Sequence, residues 1–140
     1  MPPLLIALIA LAVIFDFLNG VNDSSNIVAT MISSRAIAPR AALILTAAAE
    51  FSGPFIFGVA VANTIGNELV SSDNINLLVI IAAITSAIAW NVLTRMFGIP
   101  SSTSHAMIGG IIGSVVAAAG FHVIRIAGVV KVLISLFVSP

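Results

Sequence analysis

The first 34 residues carry two acids, Asp16 and Asp23, but no lysine or arginine, and they are mostly apolar from Leu4 to Ser34. As a helix this segment would be roughly 45 Å long, longer than the ~30 Å hydrocarbon core of a bilayer. It must therefore tilt, break or protrude, and Gly20 is a place where the helix could loosen. Backbone polar groups must be paired inside lipid, so the segment predicts a membrane-spanning helix.

The composition of the whole chain supports this interpretation. Of its 140 residues 60% are hydrophobic and 7% are charged, with a net charge of zero. A soluble domain is about 45–50% apolar and about 25% charged. These values exclude a water-soluble enzyme, a nucleic-acid binder and a disordered chain. With no cysteine, a disulfide framework and a thiolate metal site are excluded too. We expect an all-α integral membrane protein that is not an enzyme and needs no cofactor.

Three segments are predicted to span the membrane. They are Leu4–Ser34, Ala41–Ala62 and Ile75–Phe97. After a breaker at Gly98, a short apolar helix from Ala106 to Ala119 ends at Gly120. It is short for a full span and predicts a re-entrant half-helix. The last segment, Phe121–Val138, carries Arg125 and Lys131, which favours a helix at the membrane interface.

The cations predict the orientation of the chain. Arg35 and Arg40 lie in the first turn and Arg95 ends the third span, whereas the intervening loop holds only the acids Glu68 and Asp73. Cytoplasmic loops are enriched in lysine and arginine. We therefore expect a multi-pass protein of the cell (plasma or inner) membrane with an external N-terminus.

Six polar residues recur along the first segment at intervals of 3, 4, 3, 4 and 3. They are Asp16, Asn19, Asp23, Asn26, Thr30 and Ser33. This spacing places them on one face of a helix. They could make hydrogen bonds between helices, worth about 0.6 kcal/mol each. Two acids and two amides on one stripe favour a polar pathway through the membrane instead.

Glu50 lies near the middle of the second segment, with Pro54 close behind it. One interpretation is a buried ion pair with Arg95 or Arg40. The other is a coupling site for a cation or a proton. Carboxylate, amide and hydroxyl oxygens suit a hard cation such as Na⁺, whereas a buried carboxyl group holds a proton more readily.

A run of hydroxyl residues follows Pro100, namely Ser101, Ser102, Thr103 and Ser104, and it ends at His105. Proline and serine are favoured where a helix begins. The free N–H groups of a helix start can bind an anion, or the hydroxyls can simply cap the helix. A lone histidine such as His105 is more often structural. Behind it, small residues at Ala106, Gly110, Ser114 and Ala118 predict close helix packing.

These motifs resemble those of the inorganic phosphate transporter (PiT) family. The stretch 20–26, Gly-Val-Asn-Asp-Ser-Ser-Asn, resembles the family signature G-x-N-D-x-x-N. The stretch 98–105, followed by Gly109 and Gly110, resembles its second block, P-x-S-T-[ST]-H before a glycine-rich helix. Ser139-Pro140 resembles the S-P that opens a further helix.

The resemblance implies a secondary symporter that moves phosphate, or a metal–phosphate complex, with Na⁺ or H⁺. Asn22, Asp23, Asn26 and Glu50 match the polar ion and substrate positions, and Ser102, Thr103 and Ser104 match the hydroxyl motif at the phosphate site. With the stripe and the hydroxyl run included, we expect two sets of site residues. The phosphate set is Ser101, Ser102, Thr103, Ser104, Asn22 and Asn26. The coupling set is Asp23, Glu50, Asn22 and Thr30, with Asp23 and Glu50 as Na⁺ ligands if sodium is coupled.

One departure concerns the size of the chain. Family members have two homologous halves of opposite topology, whereas each motif occurs once here. We expect residues 1–140 to form one membrane domain, the N-terminal half of an inverted-repeat transporter, as a fragment or a split half. Its partners would be a second half-transporter or another copy, and the lipid bilayer. Two alternatives stay open: a symporter for another oxyanion such as sulfate, and a non-transporting membrane subunit.

Overall fold

The structure is a computed structural model that describes residues 2–57, 69, 75–99 and 101–138. The regular elements within these ranges are helices. In chain order they are α1 (Pro3–Ser33), α2 (Pro39–Phe57), α3 (Leu77–Met96), α4 (Thr103–Ala119), a 3-10 turn (Phe121–Val123) and α5 (Ile126–Val138). The predicted all-α class is confirmed over the described part of the chain.

Helix α1 runs unbroken through Gly20, so the first predicted segment is one helix of 31 residues. At its end the N–H of Arg35 donates to the carbonyl of Ile32 at 3.1 Å. Arg35 has φ +57°, the left-handed conformation that stops a helix. Because α1 does not break and is longer than the hydrocarbon core, it must tilt in a bilayer or protrude from it.

Two helices, α1 and α3, are long and apolar enough to cross a membrane. They match the first and third predicted spans. The second predicted span is described only as far as the end of α2 at Phe57, and the predicted acidic loop lies largely outside the described residues. Large apolar side chains such as Phe51, Phe55 and Met96 are 74–78% exposed, which suits contact with lipid rather than water.

The chain divides into two compact units, one of Met1–Phe15 with Val61–Pro140 and one of Asp16–Ala60. In the second unit, α2 begins at Pro39, whose fixed φ and missing N–H suit the first turn of a helix. Among the described residues of this unit, the buried ones are Val28 on α1 with Ala42 and Thr46 on α2. Ala42 and Thr46 are four residues apart, so they share one face of α2.

In the first unit, α3 and α4 form the most extensive helix contact of the described residues. Asn76 caps α3, since its Oδ1 accepts from the N–H of Val79 at 3.0 Å. A Cβ added to Gly110 of α4 would lie 2.5 Å from the Ala83 carbonyl oxygen of α3. Only glycine therefore permits the observed approach of the two helices, and the predicted close packing is confirmed at this residue.

The core of this unit is formed by residues of α3 and α4 together with residues outside these two helices. Its buried residues are Leu69, Val79, Ile108, Val115, Val123 and Val132. Helix α4 ends at Gly120 with φ +86°, as predicted. The predicted last segment is divided there, because the 3-10 turn precedes Arg125 and α5 starts at Ile126. Of the two cations that suggested an interfacial helix, only Lys131 lies within α5.

Most helical hydroxyl groups are satisfied by their own helix. On α3, Thr85 donates to the carbonyl of Ile81 at 2.7 Å, Ser86 to Ala83 at 2.9 Å and Thr94 to Trp90 at 2.9 Å. Ser52, Ser114 and Ser135 do the same on α2, α4 and α5. Such bonds use the one proton of the hydroxyl inside the helix, so toward another helix the oxygen can only accept.

Candidate functional site

The polar stripe of α1 lies on a continuous helix, as its spacing predicts. Its six positions fall within an arc of about 100° at 3.6 residues per turn. The side chains of Asp16, Asn26 and Thr30 are exposed, and that of Asn19 is half-buried. Asp23 has a helical backbone, and its side chain lies outside what the structure describes. The arrangement gives α1 one polar face in its C-terminal half.

Glu50 lies within α2, and its carboxylate is exposed. Pro54 is four residues later in the same helix, at the position whose N–H would normally donate to the Glu50 carbonyl. Proline has no N–H, so that backbone bond cannot form. Glu50 therefore presents both a side-chain carboxylate and a backbone carbonyl relieved of its usual helical donor. Oxygen atoms in this combination suit a cation.

The helix geometry disfavours an ion pair between Glu50 and Arg40. Both residues lie on α2, ten positions apart, which corresponds to about 15 Å along the helix axis. A direct salt bridge requires the charged atoms to approach within about 4 Å. A bond between Arg40 and Glu50 would therefore need both side chains to extend fully toward each other along α2.

The hydroxyl cluster Ser101–Ser104 lies where α4 begins, and the structure gives its members different environments. Ser102 is the N-cap, and its Oγ accepts from the N–H of His105 at 3.4 Å. Ser101 Oγ accepts from Trp90 Nε1 at 3.0 Å, which ties the cluster to α3. Thr103 is buried, whereas Ser104 and His105 are exposed. Pro100 lies outside the described residues.

This end of α4 has the chemistry of an anion site. A helix start carries partial positive charge and unpaired N–H groups. Ser102 satisfies one of those donors, and the remaining donors and the hydroxyls can bind oxyanion oxygens. The capping and anion-binding interpretations are therefore compatible, since Ser102 caps the helix while Ser101 and Ser104 remain beside its start.

A groove of about 600 Å³ runs along α3 and α4 next to the cluster. It is lined by Ala82, Ser86, Trp90, His105, Ala106, Gly109, Gly110, Gly113 and Ser114. Its lining includes three glycines, which leave space where larger side chains would fill it. His105 is therefore part of the groove lining, beside the hydroxyl cluster, and does not lie in the core.

Asn91 of α3 is a polar residue that the sequence reasoning missed. It is only 2% exposed, and neither Nδ2 nor Oδ1 has a hydrogen-bond partner among the described residues. The Oγ1 of Thr103, which is 4% exposed, is likewise unpartnered there. A lone amide in an apolar span is the signal that could have identified Asn91, because such residues are costly in lipid and tend to be functional.

The predicted site residues fall in both compact units. The stripe of α1 and Glu50 belong to Asp16–Ala60, and the hydroxyl cluster belongs to the other unit. That they form one site remains a prediction. Within the described ranges no group of three or more His, Cys, Asp or Glu could hold a metal ion. This leaves open Na⁺, which binds amide, hydroxyl and carbonyl oxygens as well as carboxylates.

Known proteins similar to the chain carry names that mention phosphate transport. A "probable low-affinity inorganic phosphate transporter" of Rhizobium meliloti is 43% identical over 138 residues, 99% of this chain and 41% of that protein. Proteins of the same name match in Bacillus subtilis, at 43% identity over 98% of this chain and 41% of the relative, and in Streptomyces halstedii, at 41% identity over 98% and 64%.

The chain thus spans about two fifths of the length of the first two relatives. No solved structure matches it. The family model described as "Phosphate transporter family" matches residues 19–140, which include the hydroxyl cluster, Glu50 and the asparagines of α1. On this match and these identities, the chain is a membrane protein that belongs to the phosphate transporter family.

Proposed function

We propose that the chain forms part of a secondary transporter that moves inorganic phosphate, or metal–phosphate, across the cell membrane together with Na⁺ or H⁺. The observation that carries the proposal is the hydroxyl-rich start of α4, where Ser102 caps the helix and Ser101 bonds to Trp90, in a chain of the phosphate transporter family. The names of the relatives support inorganic phosphate as the substrate.

Phosphate would bind where α4 begins. Ser101, Ser102, Thr103 and Ser104 supply hydroxyl groups, and the helix start supplies N–H groups and a favourable dipole. Asn22 and Asn26 of α1 would add amide donors. A dianion in a low-dielectric site is strongly disfavoured unless positive charge accompanies it. Charge balance therefore requires a coupled cation or proton.

The coupling ion would bind at Asp23 and Glu50, with Asn22 and Thr30 as further oxygen ligands. The exposed Glu50 carboxylate and the backbone carbonyl relieved of its helical donor by Pro54 support this assignment. Carboxylate and neutral oxygens together suit Na⁺. If H⁺ is the coupling ion, the same carboxylates carry it.

The complete transporter would contain a second half in addition to this chain, since the first relatives are more than twice as long. Residues 1–140 would be the N-terminal half of an inverted repeat, with an external N-terminus, a re-entrant α4 and an interfacial α5. The partner would be a second half-transporter or another copy of the chain. Transport would proceed by alternating access around a site between the halves.

The test is uptake of labelled phosphate by proteoliposomes that contain the complete transporter, assembled from this chain and its second half, with imposed Na⁺ or H⁺ gradients. Asp23→Asn and Glu50→Gln remove the coupling carboxylates while keeping their size. We expect uptake to become independent of the gradient or to fall at least tenfold in both variants. Ser52→Ala is the matched control, because its hydroxyl bonds within α2 to the Ala49 carbonyl, close to Glu50.

Two results separate the parts of the proposal. If Asp23→Asn and Glu50→Gln both transport normally with unchanged ion coupling, the assignment of the coupling site is wrong. If the complete transporter assembled from this chain and its second half shows no saturable phosphate uptake in any gradient, the transport proposal is rejected, and the alternative of a non-transporting membrane subunit is preferred.

A further inference from the structure

Asn91 poses an energetic problem. Its amide is 2% exposed, and both polar atoms lack a hydrogen-bond partner among the described residues. A buried polar atom left unpaired is costly, and such a group in a native protein calls for a partner. Thr94, one turn later on α3, shows the usual solution, because its hydroxyl donates to backbone carbonyls of Trp90 and Asn91. The amide of Asn91 has no such solution.

The position of Asn91 links it to the start of α4. Trp90, its neighbour, donates to Ser101 Oγ at 3.0 Å, so this level of α3 lies against the hydroxyl cluster. Thr103, two residues after Ser101, is the other buried residue with an unpartnered side-chain oxygen in the described part of the unit. Asn91 and Thr103 are thus each within one helical turn of the bond that joins the two helices.

The chemistry of an amide restricts the ligand. Nδ2 only donates hydrogen bonds and Oδ1 only accepts them. A metal cation would satisfy Oδ1 alone, and an anion with no proton would satisfy Nδ2 alone. A ligand that satisfies both atoms must carry an acceptor and a donor. Hydrogen phosphate does so, because at neutral pH it keeps at least one P–OH beside its bare oxygens. Sulfate carries no proton at that pH.

We propose that Asn91 binds the transported phosphate and selects it over sulfate. Nδ2 donates to a bare phosphate oxygen while Oδ1 accepts from the P–OH group, with Thr103 and the start of α4 holding the remaining oxygens. This inference rests on the proposed function and names a residue that distinguishes two tetrahedral anions. Since these side-chain atoms face no solvent here, α3 and α4 must part at this level when the anion enters.

The expected preference for phosphate over sulfate can be calculated from the cost of leaving Asn91 Oδ1 without a donor. Sulfate at this site would leave Oδ1 buried without a donor and facing a bare anionic oxygen. One buried group left unsatisfied corresponds to about a 5- to 150-fold loss in binding. Sites built to bond a substrate hydroxyl reject analogues that lack it for the same reason.

The experiment measures binding of labelled phosphate to the purified complete transporter, assembled from this chain and its second half, with sulfate and arsenate as competitors. Arsenate is protonated like phosphate, so it should compete well with the unmodified protein, whereas sulfate should compete poorly. Asn91→Leu should weaken phosphate and arsenate binding and bring the phosphate-to-sulfate preference at least fivefold closer to one. Thr94→Val is the matched control, since it removes a buried hydroxyl of α3 that already has partners, and its preference should not change.

Each outcome has a distinct meaning. If Asn91→Leu keeps the preference of the unmodified protein, Asn91 is structural and the inference is overturned, even if affinity or thermal stability changes. If the unmodified protein binds phosphate and sulfate equally, the inference fails while phosphate transport stands. If it binds no phosphate, the proposed function itself fails.

A second variant guards against a folding defect. Asn91→Ala is small and has no polar side-chain atom to satisfy, whereas a serine oxygen would still accept from the P–OH group. It removes both amide atoms without leaving an unpaired group, so we expect it to fold and to lose the preference. A folded Asn91→Ala protein with undiminished preference would also overturn the inference.

Discussion

Gly110→Ala should destabilise the α3–α4 pair by a predictable amount. The added Cβ would lie 2.5 Å from the Ala83 carbonyl oxygen and 2.9 Å from Ser86 Oγ. To restore a contact of 3.0 Å, the helices must separate by at least half an ångström. The methyl group would also press on the bond from Ser86 to the Ala83 carbonyl. Overpacking of this kind costs about 1–3 kcal/mol.

The same substitution also stabilises the helix itself, because alanine has a higher helix propensity than glycine. A control with the same propensity gain but no clash isolates the cost of the clash. Alanine favours a helix interior over glycine by about 0.5–1 kcal/mol. Gly109→Ala and Gly113→Ala gain this contribution without a clash, since nothing lies within 4 Å of a Cβ at either residue. We therefore expect Gly110→Ala to be about 1–3 kcal/mol less stable than Gly109→Ala.

The assay is the free energy of unfolding in detergent micelles, measured by circular dichroism during titration with a denaturing detergent. Gly109→Ala and Gly113→Ala should be as stable as the unmodified protein or slightly more stable. If Gly110→Ala unfolds at the same denaturant concentration as Gly109→Ala, the close approach of α3 and α4 does not limit stability and the reasoning is refuted.

Two further predictions concern α3. Asn76→Ala should lower the free energy of unfolding by about 1 kcal/mol, because it removes the cap on the Val79 N–H; Asn76→Asp keeps an acceptor and should not, and equal stability of the two variants would contradict the capping role. Trp90 is the one tryptophan of the chain and bonds to Ser101 Oγ, so phosphate binding at the hydroxyl cluster should shift its fluorescence emission. An emission spectrum that saturating phosphate leaves unchanged would argue against binding there.

Helix boundaries could be predicted from the sequence where a residue has a strong local preference. The first segment was expected to end at Ser34, and α1 ends at Ser33. Gly120 was expected to end the short helix, and α4 ends at Ala119 just before it. The hydroxyl run was expected to start that helix, and Ser102 caps it. At Ser102 and Gly120 one residue determines the backbone conformation without help from distant contacts, whereas α1 is stopped by Arg35 in a left-handed conformation that arginine rarely adopts.

Properties that depend on packing could not be predicted in the same way. Gly109, Gly110 and Gly113 look alike in the sequence, yet only Gly110 meets the backbone of α3. Helical periodicity groups residues on a face, but it does not say which face meets a neighbour. Asn91 was missed for the same reason, because its burial without a partner depends on how α3 packs.

The sequence predicted which residues form the hydroxyl cluster, but it did not predict the environment of each residue. The sequence indicated a row of four similar hydroxyl residues, whereas the structure distinguishes a cap at Ser102, a link to α3 at Ser101 and a buried hydroxyl at Thr103. These differences arise because successive residues at a helix start point in different directions. Whether this cluster meets the acids of α1 and α2 depends on tertiary structure that local patterns do not encode.

The internal bonding of the α3 hydroxyls affects how this helix enters the membrane. Because Thr85, Ser86 and Thr94 already donate to carbonyls of their own helix, their hydroxyl groups add little to the cost of placing α3 in a membrane. The desolvation cost of the middle of α3 then falls almost entirely on the amide of Asn91. Pairing of α3 with α4 does not remove this cost, because the amide stays buried without a hydrogen-bond partner among the described residues of the pair. A group that bonds both atoms of this amide would therefore stabilise the inserted helix pair as well as occupy the site.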